Sequence, residues 1–172
     1  LRAGTTGPIT ALEAVAGGSR KNILVTASDK RETKPASFYE MWFGDGAASL
    51  LVGDTNVIAE FKGSATVSHD FVDHYRGAGK AYDYTWEERW LREEGYSKFI
   101  PEAVDGLFKK LAITMADVQW VVFPCIFKAE HKAIAKKLGA TPEKVPNKIT
   151  DTMHEGRGET GAAHPLLMFT AA

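Results

Sequence analysis

Apolar runs of strand length and segments of helical spacing alternate along this chain. Residues 22–27 and 118–123 are apolar runs of the kind found in strands covered on both faces of a sheet. Residues 47–52 form a third run, and 57–67 a further extended segment with Asn56 as its turn residue. Thr5-Thr6-Gly7-Pro8 predicts a helix start, with a hydroxyl cap and proline in the first turn; Ala11, Leu12, Val15 and Ala16 give its apolar face and Gly17-Gly18 its stop. Thr85-Trp86-Glu87-Glu88 reads as a capping box opening a helix that runs to Glu94 and ends at Gly95. Ala103, Val104, Leu107, Phe108 and Leu111 mark the face of another helix. Ala129, Ala133, Ile134 and Leu138 mark a third, closed by Gly139. Residues 141–146 read as a turn. The alternation predicts an α/β fold with polar groups where strands end and helices begin.

Two glycine-rich turns stand out. Gly44-Asp45-Gly46 enters the run at 47–52 through small residues, which predicts a backbone that something approaches closely. Gly156-Arg157-Gly158-Glu159-Thr160-Gly161 opens the last helix, so the backbone N–H groups around Gly158 and Gly161 are expected to be free to receive an anion or a developing oxyanion. Residues 68–86 form a loop rich in aromatic and charged side chains, a candidate lid or partner surface.

Composition narrows the field. Net charge is −1, from 21 basic and 22 acidic residues, which gives no footprint for nucleic acid or an anionic membrane. Cys125 is the single cysteine, so no internal disulfide forms and a reducing, cytoplasmic setting is expected. No apolar run reaches the roughly 18–20 residues that span a bilayer, and no signal peptide is expected. The opening without methionine and the closing apolar run at 166–172 read as an internal piece of a longer polypeptide.

Among groups that carry chemistry, Cys125 lies just past a strand end and is either a nucleophile or inert packing. His154 and His164 flank the second glycine loop as candidates for acid–base work. His131, between Glu130 and Lys132, reads as a solvated surface group. His69 and His74, with Asp70 and Asp73 beside them, match no standard metal-site spacing, and no metal is expected.

Together these pieces resemble the thiolase superfamily, most of all its 3-hydroxy-3-methylglutaryl-CoA synthase branch, and are also similar to 3-oxoacyl-ACP synthase III. Arg2-Ala3-Gly4-Thr5-Thr6 with Ala11-Leu12 resembles the stretch after the family's nucleophilic cysteine. Residues 23–29 resemble the strand that follows, and Gly44-Asp45-Gly46-Ala47-Ala48 the glycine turn of the fifth strand. Val121-Val122-Phe123-Pro124 with the helix at 128–139 resembles the segment bearing the catalytic histidine. Gly158-Glu159-Thr160-Gly161-Ala162-Ala163 resembles the loop that carries an asparagine.

The likeness implies a thiolase-like layered αβαβα fold, with residues 1–55 ending its first half and 56–172 forming most of its second. The family's cysteine would fall at Leu1 or just before it. Its histidine would fall near Phe123 or at Cys125, and its asparagine at Glu159, so neither of these types is kept, and the nucleophile is either replaced or missing from this piece.

Two readings follow from the resemblance. One is an acyl-CoA-handling enzyme that makes or breaks a carbon–carbon bond next to a thioester in a Claisen or aldol reaction, with a retro-aldol cleavage that needs no acyl-cysteine among the options. Cys125, His154, Glu159 or His164 would move the proton, Gly158 and Gly161 would hold the oxyanion, and Arg2 or Lys128 would meet the CoA phosphates. The CoA thioester is then a substrate, with no permanently bound cofactor. The other is a non-catalytic thiolase-like subunit. Either fits a homodimer or a hetero-oligomer with a second subunit, and neither involves nucleic acid or a membrane.

Overall fold

The computed structural model describes residues 3–85, 87–141 and 149–172. Helix α1 (Ala3–Ala16) is followed by strand β1 (Asn22–Lys30) and, after a 3-10 turn at Phe38–Met41, by β2 (Asp45–Gly53). These strands pair antiparallel, Asn22 with Gly53 through Lys30 with Asp45. Helix α1 begins by Ala3, before the expected Thr5-Thr6 cap, and carries Pro8 inside it. Gly18, with φ of 72°, ends it where the sequence indicates.

Strand burial alternates along both β1 and β2. Leu24 and Leu51, paired across the ladder, are 64% and 73% exposed. The expectation of a strand covered on both sides is therefore corrected: helices cover one face only. That face packs on α1 and on the last helix, α6 (His164–Thr170), which buries Leu166 and Met168.

Residues 57–67 form no ladder, so the extended segment expected there is not a strand. The loop at 68–86 holds one short antiparallel pair, β3 (His74–Tyr75) and β4 (Tyr84–Thr85). Helix α2 (Glu88–Trp90) is capped by Glu87, whose carboxylate accepts the Arg89 and Trp90 N–H groups. Gly95 does not stop the helix as expected. A π-helical turn at Leu91–Tyr96 runs through it into α3 (Ser97–Leu111). A Cβ at Gly95 would lie 3.1 Å from the Phe71 ring, so the glycine makes room for an aromatic side chain.

The run at 118–123 makes a single parallel bridge, Val121 with Ile149, in place of the strand expected. Helix α4 (Lys128–Lys137) follows it and ends at Leu138 and Gly139 as predicted. The expected turn at 141–146 lies mostly outside the described residues. Leu91, Phe123, Cys125, Phe127 and Ile134 form a core, with Trp42, Phe71, Tyr96, Ile100 and Leu138 packed against it. Beyond α5 (His154–Arg157), a 3-10 turn at Gly161–Ala163 leads into α6. No described helix is long and apolar enough to cross a membrane.

Candidate functional site

The two glycine turns meet. Gly44 N–H donates to the Glu159 carbonyl at 3.0 Å, and Glu159 N–H donates to the Trp42 carbonyl at 2.6 Å, closing a parallel bridge between Phe43 and Glu159. A Cβ at Gly44 would stand 2.1 Å from the Arg157 carbonyl oxygen, and one at Gly158 would stand 2.8 Å from the Gly44 nitrogen. What approaches the first turn is thus the second, backbone against backbone. From the other side comes α1, where a Cβ at Gly4 would meet the Ala162 carbonyl oxygen at 2.0 Å. The carboxyl end of β1 contributes Asp29, whose Oδ2 accepts the Ala162 N–H at 3.1 Å. The first turn of α1, the end of β1 and both glycine turns therefore converge on residues 158–162.

Every backbone N–H from Gly158 to Ala163 already has an acceptor. Gly158 donates to His154 O, Glu159 to Trp42 O, Thr160 to His164 Nδ1, Gly161 to Glu159 Oε1, Ala162 to Asp29, and Ala163 to Thr160 O. The expected oxyanion hole of free N–H groups at Gly158 and Gly161 is corrected accordingly: the loop spends its donors on its own surroundings.

Glu159 carries the charge at this junction. Its Oε1 accepts the Gly161 N–H at 2.9 Å, and its Oε2 is ion-paired with Arg31 Nη1. Arg31 sits over the Phe43 ring, its guanidinium carbon 4.0 Å from the centroid. Its Nε donates to Asp83 Oδ2 at 3.0 Å. All three side chains are buried, with exposures of 6% for Arg31, 7% for Asp83 and 12% for Glu159. Burial pushes the Asp83 carboxyl up, but hydrogen bonds from Arg76 and Arg31 and their charges outweigh it and hold the group below its ordinary value.

Arg31, Phe43 and Asp83 are the residues that sequence reasoning missed. The signal available was Arg31 itself, a charged group at the carboxyl end of a strand. Tyr96 is a further such residue. Burial raises its phenol well above its ordinary value, and the Cys125 thiol and the Glu159 carboxylate nearby act in the same direction.

The histidines behave differently from one another. His164 is 1% exposed. An N–H can only donate, so its Nδ1 is the acceptor for Thr160 at 3.2 Å, and the proton sits on Nε2, which donates to the Thr152 carbonyl at 2.8 Å. Both ring nitrogens are engaged in holding the loop. His154 stacks on His164 at 4.3 Å between centroids. Neither of its ring nitrogens has a partner, and burial, with His164 and His131 nearby, pushes its pKa down to about 4.

His131 is 6% exposed and packs on the Phe123 ring at 4.3 Å, which corrects the solvated reading. It shares the inward face of α4 with Ile134 and Ala135. Cys125 is 1% exposed; burial pushes its thiol up to about 11, and Sγ donates weakly to the Phe127 carbonyl.

Lys128 is exposed and paired with Glu155. It lines a cavity of about 620 Å³ together with His131, Lys132, Lys136, Thr150 and Asp151. Arg2 lies outside the described residues. No cluster that could hold a metal ion occurs among the described residues; His69 pairs with Glu102 and His74 with Asp73.

Known proteins share this fold. A crystal structure of HMG-CoA synthase complexed with CoA superposes with a TM-score of 0.83 at 16% identity, covering 96% of this chain and 45% of that one. The 3-oxoacyl-(acyl carrier protein) synthase III of Pseudomonas aeruginosa gives 0.72 at 18% identity, covering 96% and 53%. The hydroxymethylglutaryl-CoA synthase of Methanopyrus kandleri is 29% identical over 172 residues, 99% of this chain and 48% of its own length. That of Aeropyrum pernix is 31% identical over 151 residues, 87% and 42%. This chain belongs to the thiolase superfamily. No family model matches it, and this thiolase-like chain spans about half the length of the curated relatives it matches.

Proposed function

We propose that the protein handles an acyl-CoA, making or breaking a carbon–carbon bond next to the thioester. The observation that carries this is the junction at Glu159: in a thiolase-like chain, the start of α1, the end of β1 and both glycine turns bring the Glu159 carboxylate, with that of Asp29 beside it, to a single point. Similar structures contain CoA and 3-hydroxy-3-methylglutaryl-CoA, which supports a CoA thioester as substrate.

Of the four candidates, we assign the proton transfer to Glu159, because it sits at the junction; its carboxylate must first leave Arg31 and the Gly161 N–H to do so. Cys125 is held protonated in the core, and His164 is occupied with Thr160 and Thr152. His154, half-buried against His164, is the second candidate. Lys128, which lines the cavity beside α4, is the candidate for the CoA phosphates.

A non-catalytic thiolase-like subunit is the second reading. It is favoured by the fully spent N–H groups of residues 158–163, which leave the expected oxyanion hole without donors. Incubating the full-length protein with a radiolabelled acyl-CoA, with and without co-purifying proteins, separates the two. Turnover by the protein alone establishes the enzyme, whereas turnover only with a second protein establishes the subunit.

A further inference from the structure

Residues 72–84 form a hairpin between two fixed points. Before it, Phe71 stacks on Trp90 at 5.8 Å, meets Phe99 edge-on at 5.1 Å and fills the space left by Gly95. After it, Glu87 caps α2. In between, β3 and β4 pair over two residues each, and the turn that joins them passes through Gly77 and Gly79, the latter with φ of 71°. Tyr75, Tyr82 and Tyr84 are exposed. Asp83, by contrast, has its carboxylate buried against the end of β1: Oδ2 accepts from Arg31 Nε at 3.0 Å, and the Asp83 N–H donates to the Glu32 carbonyl at 3.4 Å.

The charges stand in a row, Arg76, Asp83, Arg31 and Glu159, each paired with the next. Arg76 and Asp83 belong to the hairpin, whereas Arg31 and Glu159 belong to the body beneath it. Breaking a buried ion pair is strongly unfavourable when it strands a lone charge in the interior. Parting this row in the middle strands none. Asp83 leaves with Arg76, their 2.7 Å bond intact, and Arg31 stays with Glu159. The row thus separates most easily at the contact by which the hairpin holds the body.

We propose that residues 72–84 are a lid over the Glu159 junction, latched by Asp83 on Arg31 and lifting with the Arg76–Asp83 pair intact. Closed, the lid keeps water from Arg31 and Glu159, which are 6% and 12% exposed. Open, it wets both and gives the Glu159 carboxylate an approach from solvent. The lid rests on the ion-pair geometry and is independent of the acyl-CoA reading.

Hydrogen exchange on the full-length protein tests it, with carbodiimide coupling of glycine ethyl ester to Glu159 as the measure of access. Asp83→Asn weakens one charge-assisted bond and is expected to speed both hairpin exchange and Glu159 labelling roughly tenfold, with the amides of α1 and α4 unchanged. Glu159→Gln is expected to act in the opposite direction. An open lid would then leave Arg31 without a counter-charge, so hairpin exchange slows roughly threefold although the substituted residue lies outside the hairpin.

Hairpin exchange that Asp83→Asn leaves unchanged, or that rises equally in α1 and α4, overturns the proposal, as does faster hairpin exchange without faster labelling of Glu159. Should Asp83→Asn fail to fold, Glu159→Gln decides alone: slower hairpin exchange upholds the lid, and unchanged or faster exchange overturns it.

Discussion

Gly44 donates its backbone N–H to the carbonyl of Glu159 at 3.0 Å, joining two glycine turns that lie more than a hundred residues apart in the sequence. Beside this contact neither Gly44 nor Gly158 has room for a side chain. The fold is pinned at the same point where its candidate chemistry sits.

Gly44→Ala puts a methyl group 2.1 Å from the Arg157 carbonyl oxygen, a backbone atom that cannot step aside. The variant is expected to lose about 1–3 kcal/mol of stability, the usual cost of overpacking a tight contact. Gly156→Ala, with nothing within 4 Å of its Cβ, is expected to change stability by less than about 0.5 kcal/mol. Urea unfolding of both variants checks the contrast.

His164→Phe keeps the ring stacked on His154 but strands the Thr160 N–H and the Thr152 carbonyl in the interior. Each buried polar group left without a partner costs about 1–3 kcal/mol. Urea unfolding is expected to show a loss within or above that range. An equally stable variant would show that the two hydrogen bonds contribute nothing.

His154 makes stability depend on pH. Its pKa falls from 6.5 to about 4 on folding, so the native state refuses a proton that the unfolded chain accepts. The contribution is fully present above pH 6.5 and is lost progressively as pH drops toward 4, below which this group adds no further change. Thermal melts of His154→Phe between pH 7 and 4 are expected to decline less steeply than those of the wild type.

Lys128 is exposed and already paired with Glu155, so the contact proposed for it with a CoA phosphate would be a modest one. Lys128→Ala is expected to weaken CoA binding roughly three- to fivefold. Raising the salt concentration is expected to shrink the difference. Calorimetric titration with CoA at two ionic strengths checks both statements.

Much of the frame was legible from the sequence because its signals are local. The end of α1 at Gly18 and the end of α4 at Gly139 follow from glycines that adopt positive φ at those positions. The close approach at Gly44 was also legible, since small residues beside a turn leave few other purposes.

Where the reading failed, the deciding partner was distant in sequence. Gly95 looked like a stop, yet it is there for the Phe71 ring. His131 looked solvated between two charges, but the helix turns it inward beside Ile134. The N–H groups at Gly158 and Gly161 looked free because their acceptors, His154 and the Glu159 carboxylate, are fixed only by the folded loop. The Arg31–Asp83 pair joins residues 52 apart, a spacing without local periodicity.

Cys125 gives the molecule a clock. The only thiol in the sequence lies in the core at 1% exposure, and at neutral pH it is almost wholly protonated. A thiol reagent therefore reacts only when Leu91, Phe127 and Ile134 part from around it, so the labelling rate counts those openings one by one. Any ligand that steadies the core will lengthen the interval between them, and a single cysteine makes the record unambiguous.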